Sequence, residues 1–308
     1  MSLLSNIFFS LSLVISALAW PAVGLAKPLA PATCAERPYD EGRLFKVSRE
    51  GVAPSYIFGT MHSNDARILH LPGPVMQAFL GAGTAIFETS LTEAETDRSR
   101  AQVLLGPGES LKARIGEERF AKLLFIAAKH GIDAASLDRL KIWAAAAIIS
   151  QPPADTRPGR SLTLLDKELE KSARLSGKRV LGLETNEEQF AVFDAMPVPV
   201  QIEYLDQALN EFPRLDEEIE TLTSYYLSGN TGWIICDLEQ TLEGASPELG
   251  RIMTDELIVM RNHRMVERML FELENGNAFV GIGALHLPGT EGVLFLLERH
   301  GYSIERRY

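Results

Sequence analysis

Two four-residue signatures in this chain have the composition of a metal or acid–base site: Gly59-Thr60-Met61-His62 and Gly283-Ala284-Leu285-His286. Each closes an apolar, β-rich run, Ser55 to Gly59 (SYIFG) in one case and Ala278 to Gly283 (AFVGIG) in the other. Leu-Pro-Gly follows both, as Leu71-Pro72-Gly73 after a longer loop and as Leu287-Pro288-Gly289 at once, a weak internal repeat. The glycine is read as letting the chain leave the strand in a conformation other residues resist. The histidine three positions later then projects from the carboxyl end of the sheet, where open α/β sheets bind ligands. If a pseudo-two-fold axis relates the two units, both imidazoles converge on one point. Glu88, at the end of the following strand, would add a carboxylate. Two His and one carboxylate with open positions suit a divalent ion and an activated water. Either motif alone is more often a hydrogen-bonded histidine at a strand end than a ligand.

The elements that must position these residues are legible at both ends. Ser55 to Gly59, a short helix over Pro74 to Leu80, and a strand Thr84 to Phe87 form one β-α-β unit; Ala278 to Gly283, an amphipathic helix Glu291 to His300, and a strand Tyr302 to Arg306 form another. Helical periodicity dominates between them. Ser110 can cap a helix ending at Gly131, Ala134 to Ile149 continues in Ala-rich style, and the Pro-containing stretch 151–160 breaks it. Leu164 to Ser176 is closed by Gly177, Arg179 to Leu183 reads as a lone strand, and Asn186 to Ala195 returns to helix. From Leu215 to Gly276 the pattern is helical, with breaks near Gly229 and at Gly244-Ala245-Ser246-Pro247. The expected class is α/β, a central sheet built from two pseudo-symmetric β-α-β units with a large helical insertion.

Composition narrows the function. Of 308 residues 46% are hydrophobic, enough for a sizeable core, and 41 Asp+Glu against 30 Lys+Arg give a net charge of −11, which argues against a nucleic-acid partner. Residues 1–26 carry no charged side chain, and Ile7 to Ala19 has the length of a secretory signal core. Gly24-Leu25-Ala26 precedes Lys27, so cleavage is expected after Ala26, leaving 27–308 as one domain. If it is uncleaved, residues 7–26 could instead anchor the chain to a membrane. Export to a bacterial periplasm makes a bridge between Cys34 and Cys236, the two cysteines of the chain, plausible.

The runs YIFGTMHSNDARILHLPG, VLGLETNEEQ and GIGALHLPGTEGVLFLLERHGY resemble the TraB/GumN family, related to the Tiki metalloproteases and more distantly to the EreA/ChaN group. The likeness spans roughly Ser55 to the C-terminus. It matches the family's paired GxxH signatures to Gly59/His62 and Gly283/His286, and its carboxylate to Glu88. A second acidic signature falls on Glu184, an Arg-Asn pair on Arg261-Asn262, and further equivalents on Asp166 and the helix of Trp143, although Ile142 stands where a Pro is usual. The resemblance implies a divalent-metal-dependent hydrolase of the peptidase kind.

On that reading His62 and His286 ligate a divalent ion (Mn, Co or Zn), with Glu88 either a third ligand or the general base. Glu184 competes for the base, or simply caps the helix after it. Arg261 could stabilise an oxyanion with Asn262 donating alongside, or could pair with Glu88 or Glu184. Asp65 and Arg67 read most simply as a loop-fixing salt bridge. His70, His130, His263 and His300 carry little weight, and the acidic stretch 216–220 reads as a solvated helix face. Three functions remain: a metal-dependent hydrolase acting on a peptide or related small-molecule amide or ester, an exported non-catalytic protein that sequesters a peptide or haem-like ligand, and metal-free ester hydrolysis by an imidazole base.

Overall fold

The computed structural model describes residues 30–31, 34–90, 93–153 and 163–308. The expected signal segment 1–26 and most of the Pro-containing stretch 151–160 lie outside them. Six strands form one sheet in the order β4-β3-β5-β2-β1-β6, where β1 is Leu44–Ser48, β2 Ser55–Thr60, β3 Thr84–Thr89, β4 Arg179–Glu184, β5 Ala278–Gly283 and β6 Ser303–Arg306. The strands β4, β3, β5 and β2 run parallel, while β1 is antiparallel to both β2 and β6. The fold is α/β with a mixed sheet.

Both expected β-α-β units form. Helices Ala66–Leu69 and Gly73–Gly81 carry the chain from β2 to β3, and helix Val293–Arg299 carries it from β5 to β6. In each unit the two strands are not neighbours: β5 lies between β2 and β3, and β2 and β1 lie between β5 and β6. The central strands β5 and β2 read as unbroken apolar runs because both faces of the sheet are covered. One face packs Phe58, Phe79, Phe87, Phe279 and Tyr226; the other packs Ile57, Ile86, Val280, Met265 and Leu294.

Three expectations are corrected. Arg179 to Leu183 is not a lone strand; β4 pairs in parallel along β3 and extends the sheet, covering what would otherwise be an open edge. The helix from Ser110 to Gly131 is divided at Gly116, whose φ of 84° only glycine tolerates cheaply, into Leu111–Ile115 and Glu117–Ala127. The stretch Ala134 to Ile149 is divided into Ala134–Leu137 and Ile142–Ile149, because residues between them pair with an earlier loop: the Leu105 amide donates to the Arg139 carbonyl and the Lys141 amide to that of Val103. Strand β1 and the helix Val198–Glu211, which starts on Pro197 and Pro199, are additions to the expected pattern.

The helical region has a core of its own. Trp143 is fully buried, stacks on Phe193 with ring centres 5.3 Å apart, and donates from Nε1 to Asp194 at 2.7 Å. The helices Leu215–Ser228 and Thr231–Leu242 bring this region over the carboxyl edge of the sheet. The Cys34–Cys236 bridge forms and ties the N-terminal segment to the second of those helices. It closes a loop of 202 residues, and Cys34→Ser or reduction is expected to lower unfolding free energy by about 2–5 kcal/mol. Urea titration with and without reductant, alongside a thiol count of zero in the native protein, checks this; an unchanged midpoint would contradict it.

Candidate active site at the carboxyl edge of the sheet

Each of the four parallel strands delivers one sequence-singled residue to the same edge. His62 lies two residues past β2 and His286 three past β5, while Glu88 and Glu184 lie at the ends of β3 and β4. In register, Thr60 sits beside Gly283 and Thr89 beside Glu184. Parallel pairing of neighbouring strands is therefore enough to bring both GxxH loops together, whatever symmetry relates the units.

The motif glycines act through space and not through backbone freedom. Neither Gly59 nor Gly283 has a positive φ. A Cβ on Gly59 would stand 2.7 Å from the Leu287 side chain and 3.2 Å from Ala284, the second loop; one on Gly283 would stand 3.0 Å from Glu88 Oε1. The absent side chains let the two loops and the carboxylate close on one another, which corrects the expectation of a strained exit from the strand. Tyr226, which carries no motif, holds the first loop by donating its hydroxyl to the Gly59 carbonyl at 2.9 Å.

Arg261 binds the layer together. It is 2% exposed and lies on helix Met260–Asn275, directly after a π-helical stretch, Ile252–Val259. Its Nη2 donates to Glu88 Oε2 at 2.7 Å and its Nε to Glu184 Oε2 at 2.8 Å, while Nη1 reaches the Leu257 carbonyl. The ion pair weighed against an oxyanion role is the observed state. Glu184 is fully engaged, taking further bonds from Gln189 and Arg264, and it is not the cap of the following helix: Thr185 caps it in a reciprocal box with Glu188.

Glu88 receives the Gly283 amide on Oε1 at 2.6 Å. Burial works to raise its carboxyl, but the His286 ring whenever it is charged, the Arg261 guanidinium and that amide overcome it and hold Glu88 well below the usual carboxylate range. Such a group is a poor proton acceptor at neutral pH and a good anion. His286 behaves oppositely: burial pushes its ring from 6.5 down to about 4 against the pull of Glu88. The stable state at pH 7 is thus neutral His286 beside ionised Glu88, with Arg261 the permanent positive charge.

Asn262 has a different task from the one anticipated. Its Nδ2 donates to the Glu291 carbonyl at 2.8 Å, leaving Oδ1 as acceptor 2.6 Å from His286 Nδ1. That fixes the proton on Nδ1 and leaves Nε2 as a lone pair, 3.9 Å from Glu88 Oε1. Across the site His62, 3% exposed, turns its Nδ1 to Asp166 Oδ2 at 3.5 Å. Both rings border a cavity of about 220 Å³, whose other walls include Ile149, Phe193, Ile219, Leu222 and Leu257. Arg261 also reaches this cavity; Glu88, Glu184, Asn262 and Asp166 stand behind its lining.

The remaining candidates take their plainer roles. Asp65 caps helix Ala66–Leu69 and pairs with Arg67, which also holds Glu220. His70 and His300 are exposed helix caps and His263 bonds Glu291 at the surface.

A model of the TraB/PrgY/gumN family matches residues 43–306. The chain belongs to that family. Among curated proteins it is similar to a "Metalloprotease TIKI homolog" of Nematostella vectensis, 23% identical over 304 residues covering 82% of this chain and 64% of that protein. It is 25% identical over 311 residues to "Metalloprotease TIKI1" of Danio rerio, covering 85% and 62%. It is 23% identical over 243 residues to "Uncharacterized protein YbaP" of Shigella flexneri, covering 79% and 87%. The chain thus spans a little under two thirds of the length of these Tiki relatives. No solved structure matches it. Among the described residues no helix is long and apolar enough to cross a membrane.

Two outcomes follow from this geometry. Arg261→Ala strands two buried carboxylates and is expected to cost about 3–5 kcal/mol in urea unfolding, with Arg261→Lys recovering only part because an ammonium cannot span both. In chelated protein the ring of His286 should appear by two-bond proton–nitrogen NMR as the Nδ1–H tautomer and titrate near pH 4. Because the unfolded ring binds its proton near 6.5, this group makes stability fall as pH drops through that window. A ring titrating near 6.5 would contradict the burial argument.

Proposed function

We propose that this chain is an exported, divalent-metal-dependent hydrolase of peptide or related amide bonds, with His62, His286 and Glu88 holding the ion. The observation that carries the reading is the state of His286: a buried neutral ring whose proton is fixed on Nδ1 by Asn262, with its free Nε2 directed to an ionised carboxylate. Metal-binding histidines are oriented in this way by a partner on the other nitrogen. Among the described residues no group of three or more His, Cys, Asp or Glu side chains is spaced to hold an ion, so the fit rests on donor chemistry. Two imidazoles and a carboxylate suit a borderline cation such as Mn, Co or Zn.

The ion would supply a Lewis acid beside the cavity. The chain's own groups do the rest. Arg261 and the Gly283 amide keep Glu88 ionised and aimed, and Glu184 keeps Arg261 in place. The apolar wall of Phe193, Ile219, Leu222 and Leu257 suits an uncharged side chain of a substrate, while Glu211, Glu218 and Asp237 line another part of the cavity. The family relationship and the names of the Tiki relatives support hydrolysis of a peptide, and the Cys34–Cys236 bridge supports an oxidising compartment such as the periplasm.

The purified protein should bind about one Mn²⁺, Co²⁺ or Zn²⁺ per chain, and His62→Ala and His286→Ala should each lose it. Peptide cleavage should stop on chelation and return with the ion. Cleavage that survives thorough chelation would move the reading to metal-free hydrolysis, and peptide binding without any cleavage or ion uptake would move it to a sequestering protein.

A further inference from the structure

The two imidazoles have unlike partners behind them. His286 Nδ1 meets the neutral amide of Asn262, whereas His62 Nδ1 meets the carboxylate of Asp166 at 3.5 Å. Asp166 is 9% exposed and lies in the first turn of helix Leu165–Leu175. Its Oδ1 accepts from Thr60 Oγ1 at 2.5 Å, and among the described residues its buried Oδ2 has no hydrogen-bond partner. Thr60 is the second residue of the first GxxH motif; in the second motif that place is Ala284, which has no hydroxyl to offer. The first motif is therefore built with a hydroxyl that aims a carboxylate at its own histidine, and the second is not.

We infer that Asp166, aimed by Thr60, is the positioning residue of His62, fixing the proton on Nδ1 and turning Nε2 outward as the donor atom. The inference rests on the reading of His62 as an ion ligand. A carboxylate behind a ligating imidazole fixes its tautomer and strengthens it as a donor, more than an amide can. The separation of 3.5 Å is long for a hydrogen bond, and contacts of this kind close when the ring takes up charge on its far nitrogen. The competing role for Asp166 is to complement the helix N-terminus. Its Oδ1 bonds to Thr60, on a different element, and the second oxygen faces the ring, so the helix end does not explain its direction.

The test uses the full chain with its disulfide intact and the variants Asp166→Ala, Asp166→Asn and Thr60→Val. In chelated protein, two-bond proton–nitrogen NMR should report His62 as the Nδ1–H tautomer. Asp166→Asn should keep that tautomer, since an amide oxygen still accepts, while Asp166→Ala should lose it. Calorimetric Mn²⁺ affinity should fall about 10–100-fold in Asp166→Ala, less in Asp166→Asn, and least in Thr60→Val, with the His286 signals unmoved throughout. A fall in melting temperature with the His62 spectrum and Mn²⁺ affinity unchanged would reduce Asp166 to a helix-end residue and overturn the inference. A wild-type chain that binds none of Mn²⁺, Co²⁺ or Zn²⁺ defeats the ion reading itself; the tautomer comparison then still decides for or against Asp166 on its own.

Discussion

A guanidinium buried between two carboxylates is the constraint around which this protein is arranged. Arg261 joins the ends of β3 and β4 to the long helix behind them through Glu88 and Glu184. Taking three charges out of water is costly, and the arrangement stands only because nearly every lone pair and proton among them is satisfied. Gly283, Gln189, Arg264 and the Leu257 carbonyl supply the remaining partners. The consequence for chemistry is electrostatic. Glu88 cannot take up a proton near neutral pH, so beside it a histidine can remain buried and uncharged without leaving the carboxylate uncompensated.

That arrangement separates the two kinds of residue at the edge of the sheet. His62, His286 and Arg261 border the cavity; Glu88, Glu184, Asn262 and Asp166 form the layer behind. The rear layer sets protonation states and ring orientations. The front layer meets whatever enters. The π-helical stretch Ile252–Val259 serves both layers at once. Its widened turn faces Met253, Leu257 and Ile258 toward the cavity while the helix it feeds presents Arg261 and Asn262 inward. Such departures from regular helix concentrate where side chains must be aimed.

Much of this was legible in the sequence, and the parts that were not share a cause. The strands β2, β3 and β5 and the helices around them announce themselves by apolar runs bounded by glycine and proline. Glu88 stands out as the carboxylate that ends a strand, whereas Glu184 and Arg261-Asn262 emerge only through the family resemblance. What sequence could not express was commitment: that both oxygens of Glu184 are already bonded, or that the Asn262 amide is already engaged by Glu291 and His286. Those facts belong to three-dimensional neighbours far apart in the chain. Strand β1 escaped because five residues of mixed polarity carry little periodic signal, and its place is set by β2 and β6 on either side.

The glycines make the same point from the other direction. Read locally, a glycine before a loop suggests a turn that other residues resist, and that reasoning holds at Gly116 and Gly131, where φ is positive. At Gly59 and Gly283 the backbone is ordinary and the missing atom is what counts, because another loop or a carboxylate occupies the volume a Cβ would need. A substitution to alanine would therefore act at Gly59 on the distance between the two histidine loops, and at Gly283 on the distance to Glu88, and not on the conformation of its own strand. The spacing Gly-x-x-His is in this sense a statement about a neighbour. The first motif glycine leaves room for the second histidine loop and the second leaves room for Glu88, and that clearance gives the repeat a physical meaning that its spacing alone does not have.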